Sequence, residues 1–271
     1  MTKLTVIVTG ATSGIGKATA TQLAGGGARV IAVARDSARG RAAVAEIRER
    51  IAGADIELRV ADLADLDSVR ALAARVDQVD VLINNAAVAK PWPERTPAGL
   101  DVMLATNHLG PFLLTNLLLP KLTRVVTLGS SSHKQVRAIP WDDLVSGSPS
   151  YPLTKALNIL FSYELARRTT RVTSNCADPG FVHTNLGRDA RGGFALFLKL
   201  TRPFQADPEV GATTPVYLAT SPDVAGTTGT CYAKCRPVAT SPLTNDPAVA
   251  SRLWELSTDL VGLGRPSDRP A

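Results

Sequence analysis

The chain has 271 residues, 45% hydrophobic and 20% charged, a composition that excludes a disordered or fibrous protein and suits one large α/β domain. Its formal net charge of +6 is interleaved with acids, as in EIRER (46–50), so it reads as a solvated face that attracts small anions and not as a nucleic-acid surface. No run of about 18 uninterrupted apolar residues occurs, and the first apolar run, Leu4 to Val8, is too short for a signal peptide. A cytoplasmic protein without a membrane span is the expectation.

The first strand is expected at 4–9 (LTVIVT), followed by VTGATSGIGK (8–17) and a helix over 15–25. Gly10, Gly14 and Gly16 permit a tight turn and close backbone approach, and the helix start offers unpaired N–H groups to a diphosphate. Their spacing, G-x-x-x-G-x-G, is neither that of the larger dinucleotide-binding folds nor that of a P-loop. A second strand at 28–34 ends in Ala34, where an acid would grip a ribose 2′-hydroxyl. Arg35 follows and favours the 2′-phosphate of NADP, while Asp36 keeps NAD open.

Further strands are expected at 56–61, 79–84, 124–129 and 171–177, alternating with helices over 38–51, 66–76, 98–119 and 152–168. Continuous apolar strands separated by helices imply a doubly wound, Rossmann-type parallel sheet with helices on both faces. Ligand sites then belong at the carboxyl ends of the strands. Residues 1–263 form one domain in this reading, and 264–271 form a disordered tail. Residues 188–205, with Gly192 and Gly193 as a hinge and Pro203 as a stop, read either as a substrate lid or as a packed helix.

Tyr151 and Lys155 stand at i and i+4 on one helix face. They are either an exposed pair or an acid beside a cation. Cys176, Cys231 and Cys235 are odd in number and read as reduced thiols, and His108, His133 and His183 have no partner at metal spacing, so no metal is expected.

With these motifs in order, the chain resembles a short-chain dehydrogenase/reductase of the retinol-dehydrogenase-like branch. The resemblance runs from TGATSGIG through VADLADLDSVR (60–70), VDVLINNA (79–86), TNHLGPFLLTNLLLP (106–120), YPLTKALNILFSYELARR (151–168) and DPGFVHTNLG (178–187) to LWELSTDLVGL (253–263). It implies Tyr151 as general acid/base, Lys155 as its electrostatic partner and ribose ligand, Ser130 as donor to the substrate oxygen, and Asn107 as anchor of a proton-relay water. It assigns Asp62 to the adenine edge, Asn84, Asn85 and Ala86 to the wall beside the adenine ribose, and Thr184 to the carboxamide. Thr12, Ser13, Ile15, Leu63, Pro179, Gly180 and Val182 join the glycines and Arg35 as cofactor-binding residues.

A phenol titrates near pH ~10, so the ammonium and the oxidised nicotinamide are expected to lower the pKa of Tyr151. Three departures stand out. Ala87 replaces a family glycine, a one-residue slip in LGSSSHK would make Ser131 the donor, and Asp178 stands where the family often has His, either to cap a turn or to meet a polar substrate.

The function implied is NADP(H)-dependent carbonyl reduction or alcohol oxidation on a small lipophilic or biosynthetic substrate. Isomerisation, imine or C=C reduction, and a non-catalytic NADP-binding regulator are the alternatives. Family members acting on membrane-dissolved retinoids often carry an N-terminal anchor, and here the first strand starts at about Leu4. Helices 98–119 and 152–168 either form a homodimer or homotetramer face or merely cover the sheet.

Overall fold

The computed structural model describes residues 3–180, 182 and 206–264. The central strands of its sheet are buried on both sides: all five residues of β1 (Thr5–Thr9) are buried, as are five of six in β2 (Arg29–Ala34). Successive side chains alternate between two cores. Ile7, Ile31, Val33, Leu82 and Val125 enter one; Val6, Val8, Val30, Ala32, Ile83 and Val126 enter the other. With β3 (Ile56–Val60), β4 (Val81–Asn84), β5 (Arg124–Leu128) and β6 (Thr173–Asp178), these strands pair in parallel.

The order is β3-β2-β1-β4-β5-β6-β7-β8, so the chain reverses direction across the sheet between β1 and β4. That reversal opens a crevice at the carboxyl ends of the strands. Two strands were not expected. β7 (Cys231–Ala233) and β8 (Arg236–Val238) form a hairpin closed by Lys234 and Cys235, both with positive φ, 50° and 58°. β8 runs antiparallel to β7, so the sheet is parallel except at this edge. Pro237, which cannot donate to a ladder, is tolerated there.

Helices α1 (Gly14–Gly25), α2 (Ser37–Arg50) and α3 (Leu66–Ala74) follow the first three strands, as expected. Asp36 caps α2 through Arg39 N–H, and Asp65 caps α3 through Asp67 and Ser68 N–H. The single helix expected over 98–119 is in fact α4 (Val102–Leu104), a π turn (Ala105–Leu109) and α5 (Gly110–Leu118). Pro111 has a physical part in this: its ring would clash with the carbonyl four residues back in a regular helix, and it has no N–H to donate. Val102–Lys121 is long and apolar enough to cross a membrane, yet most of it is buried within the protein, as a core helix is.

The long helix α6 (Tyr151–Arg168) precedes β6; α7 (Pro208–Thr220) lies beyond it in the chain and α8 (Pro247–Val261) closes the fold. The last two were also unforeseen. Trp254 of α8 packs on Phe112 of α5 and Phe161 of α6, with ring centroids 4.9 and 6.0 Å apart. The outer face of α5 and α6, considered above as a subunit contact, is thus covered at these rings by the same chain. Residues 188–205, read as a lid or packed helix, and the tail from Arg265 lie outside the described residues.

Candidate active site

A cleft of about 460 Å³ opens at the carboxyl ends of β1 to β6. Gly10, Thr12, Ser13, Gly14, Ile15 and Gly16 form one wall. Gly10 and Gly14 take positive φ, 69° and 54°. At Gly16 a Cβ would stand 2.3 Å from both Asn85 Nδ2 and the Gly10 carbonyl oxygen, so only bare backbone fits. Ser13, at the N-cap of α1, makes no side-chain cap bond, which leaves the first amides of that helix to a ligand. These features fit a dinucleotide's diphosphate.

Asn85 explains how the turn is held. Its Nδ2 donates to the Thr9 carbonyl at 2.6 Å, and its backbone N–H donates to Thr9 Oγ1 at 3.0 Å. The side chain expected beside a ribose is therefore committed to the glycine turn, and with Ala86 it still lines the cleft. Asn84 points the other way, donating to Thr115 Oγ1 at 2.9 Å from a buried position, so it is not a wall residue. Asp62 and Leu63 line the cleft from the end of β3, with Asp62 Oδ1 accepting from Ala64 N–H at 2.9 Å.

Arg35 and Asp36 line the rim at the end of β2, and Arg39, missed in the sequence, joins them. Asp36 Oδ1 accepts the Arg39 N–H at 2.9 Å, and this bond holds the carboxyl below its usual range. The sequence signal for Arg39 was its place three residues after an N-cap acid.

Tyr151 opens α6, with Ser150 as N-cap accepting from Leu153 N–H, and both Tyr151 and Lys155 line the cleft. Lys155 is buried, and its Nζ donates to the Leu128 carbonyl at 2.9 Å. Burial pushes its pKa down to about 8, against the opposing pull of Cys176 and Asp178. The expected lowering of the Tyr151 pKa is not found in the protein alone: burial, and then the Asp178 carboxylate, push it up. Desolvation of the phenolate outweighs the nearby ammonium. Asp178 itself caps a turn, with Oδ1 accepting from Gly180 N–H at 2.9 Å.

Asn107 sits in the π turn and is fully buried. Its Oδ1 accepts from Val88 N–H at 2.8 Å; its Nδ2 donates to the Val88 carbonyl at 2.9 Å and to Thr154 Oγ1 at 3.1 Å. The side chain is thereby committed to the protein. Its carbonyl, by contrast, has no amide at the i+4 position, because residue 111 is proline.

Ser130 follows β5 and is partly exposed, whereas Ser131 is exposed in the next turn. Ser130 Oγ accepts from Ser132 N–H at 3.2 Å and from Ser132 Oγ at 3.0 Å, leaving its own proton to donate. His133 fixes the Ser130 backbone. Because Ser241 N–H donates to its Nε2 at 3.1 Å, its Nδ1 carries the proton and donates to the Ser130 carbonyl at 2.6 Å.

Pro179 lines the cleft; Gly180 and Val182 lie beyond it, and Val182 bridges to Ala206. Thr184 and His183 lie outside the described residues. Among the described residues, no group of three or more His, Cys, Asp or Glu could hold a metal.

Residues 4–193 match the family described as short chain dehydrogenase. Retinol dehydrogenase 14 of Mus musculus is 40% identical over 288 aligned positions, covering 96% of this chain and 86% of that protein. A crystal structure of an uncharacterized protein from Mycobacterium paratuberculosis is 36% identical with a TM-score of 0.79, covering 96% of this chain and 93% of that one. A short chain dehydrogenase from Burkholderia cenocepacia in complex with NADP is 25% identical with a TM-score of 0.67, covering 84% of this chain and 94% of that one.

Proposed function

Given that this chain belongs to the short chain dehydrogenase family, on its retinol-dehydrogenase-like branch, and is a nicotinamide-dependent oxidoreductase, we propose that it interconverts a ketone or aldehyde and its alcohol with NADP(H). The observation that carries the reading is convergence: Tyr151 and Lys155 open into the same cleft as the Gly10–Gly16 turn. Fold alone would not license an activity, whereas this constellation does.

The bound nicotinamide supplies or accepts the hydride. Tyr151 donates its proton to the substrate oxygen in reduction, the direction served by a phenol that its surroundings keep protonated. The Ser130 hydroxyl donates to the same oxygen and stabilises negative charge there. Lys155 holds the ribose and favours loss of the Tyr151 proton in the reverse direction. Asn107 anchors a relay water through its backbone carbonyl, since its side chain is fully engaged.

NADP is the preferred cofactor in this reading. Arg35 offers a bidentate partner for a 2′-phosphate, Ala34 leaves no acid for a 2′-hydroxyl, and Asp36 is drawn into capping α2. The substrate is a small lipophilic carbonyl or alcohol, the class to which the relatives' retinol belongs. An assay of NADPH consumption against a panel of ketones and aldehydes tests the proposal, with product identification. No turnover of any carbonyl, or an isomerised product without net NADPH use, would overturn it.

A further inference from the structure

Residues 145–147 lead into α6, and their three successive carbonyls meet one side chain from another part of the chain. Arg95 Nη1 donates to the Val145 carbonyl at 2.9 Å, and Nη2 donates to the Gly147 carbonyl at 3.0 Å and to the Ser146 carbonyl between them. Among the described residues, no backbone N–H reaches any of the three. Arg95 stands on a fixed base. Its bridge to Asp101, the 2.8 Å bond from Val102 N–H to the Glu94 carbonyl and the positive φ of Gly99, 80°, close a small hairpin at the start of α4. The π turn with Asn107 continues from α4, and Asn107 Nδ2 donates to Thr154 Oγ1. The chain is thus gripped on both sides of Tyr151, at Gly147 before it and at Thr154 after it. Both grips come from the stretch 95–107.

We propose that Arg95 is a positioning residue for the proton donor Tyr151, fixing the approach of the chain to α6 so that the phenol meets the substrate oxygen. The inference rests on the carbonyl-reduction reading above. Tyr151 is the first residue of α6, and its N–H has no partner within the helix, so the helix alone does not fix its place. A small displacement of a catalytic group is costly to rate. Arg95 is exposed, so water takes over the three carbonyls when the guanidinium is removed. Its loss therefore costs placement and little stability. A lysine is a point charge on a flexible stem and cannot span three carbonyls as a planar fork does.

Arg95→Ala and Arg95→Lys, each alone and combined with Tyr151→Phe, test this by carbonyl turnover, NADPH titration, urea unfolding and hydrogen exchange over residues 148–153. Arg95→Ala is expected to lower kcat about tenfold, with NADPH affinity within about twofold and the urea midpoint nearly unchanged. Arg95→Lys should recover only part of the loss. In the Tyr151→Phe background, Arg95→Ala should cost less than about twofold more, because residues acting through one proton donor are not additive. Amides over 148–153 should exchange about tenfold faster in Arg95→Ala, a readout that needs no substrate. The same tenfold loss in the Tyr151→Phe background would mean that Arg95 does not act through the phenol, and would overturn the proposal. If wild type reduces carbonyls and Tyr151→Phe does not, yet Arg95→Ala changes neither kcat nor exchange, positioning by Arg95 is refuted and the function stands. No carbonyl turnover in wild type would overturn both.

Discussion

The ammonium of Lys155 lies 5.5 Å from the centre of the Tyr151 ring, one helical turn along α6. It is held there by the Leu128 carbonyl at the end of β5, not by the phenol. The pair is thus positioned by the sheet. Burial disfavours charge on both partners, which raises the one pKa and lowers the other.

Tyr151→Phe deletes only a hydroxyl from this pair. Turnover should fall by about 10²-fold or more, the scale of a positioned acid, with NADPH affinity little changed. Steady-state kinetics beside a binding titration check it. Unimpaired turnover would place the chemistry on another residue.

Lys155→Met should separate function from stability. Cofactor binding and turnover are expected to drop about tenfold or more, while the fold becomes no less stable at pH 7, because Asn158 Nδ2 still donates to the Leu128 carbonyl at 3.2 Å. The sign follows from the lowered Lys155 pKa, about 8 in the fold against the ordinary 10.5. The penalty for burying the charge is complete below about pH 8 and is relieved as pH rises toward 10.5. Urea unfolding at pH 7 and 9.5 should show the variant's advantage shrinking at the higher pH.

Gly16→Ala should abolish measurable NADPH binding and destabilise the fold by about 1–3 kcal/mol, the range for overpacking. The new methyl meets Asn85 Nδ2 and the Gly10 carbonyl, each at 2.3 Å, and neither can yield without moving the turn. Calorimetry and denaturant midpoints check both parts. Normal binding would show that the turn is looser than described.

His108 should make the fold acid-sensitive. Its Nε2 bonds Ser257 Oγ at 2.8 Å; since that hydroxyl donates to the Leu253 carbonyl, Nε2 must carry the proton. Nδ1 is buried without a partner, and burial pushes the pKa down to about 3. A lowered pKa means the stability is intact above the ordinary 6.5 and is lost as pH falls toward 3. His108→Gln retains a donor for Ser257 and cannot be protonated in this range. Wild type should lose stability more steeply than the variant between pH 6.5 and 4; parallel slopes would mean that His108 is protonated without cost.

β1, β2, β4 and β5 were legible because each is a mostly apolar run, a property of neighbouring residues that burial on both faces demands. β3 (IELRV) and β6 (TSNCAD) carry polar residues and were legible from their place between helices. The glycine turn and the Tyr151–Lys155 spacing were legible because backbone freedom and helical phase are local. β7 and β8 were not, since three residues, such as Cys231–Ala233, carry no pattern and gain their place from pairing with β6. Asn107 could be singled out but not understood, because its partners Val88 and Thr154 lie 19 and 47 residues away. Arg39 gained meaning only when α2 set it on the rim beside Arg35. The largest difference concerns Tyr151, where a neighbouring ammonium and the oxidised nicotinamide were expected to lower the pKa of the phenol and burial in the protein alone pushes it up. Spacing along a helix decides which groups can meet. Desolvation is summed over every atom that the fold brings around them, and that sum belongs to the tertiary structure alone.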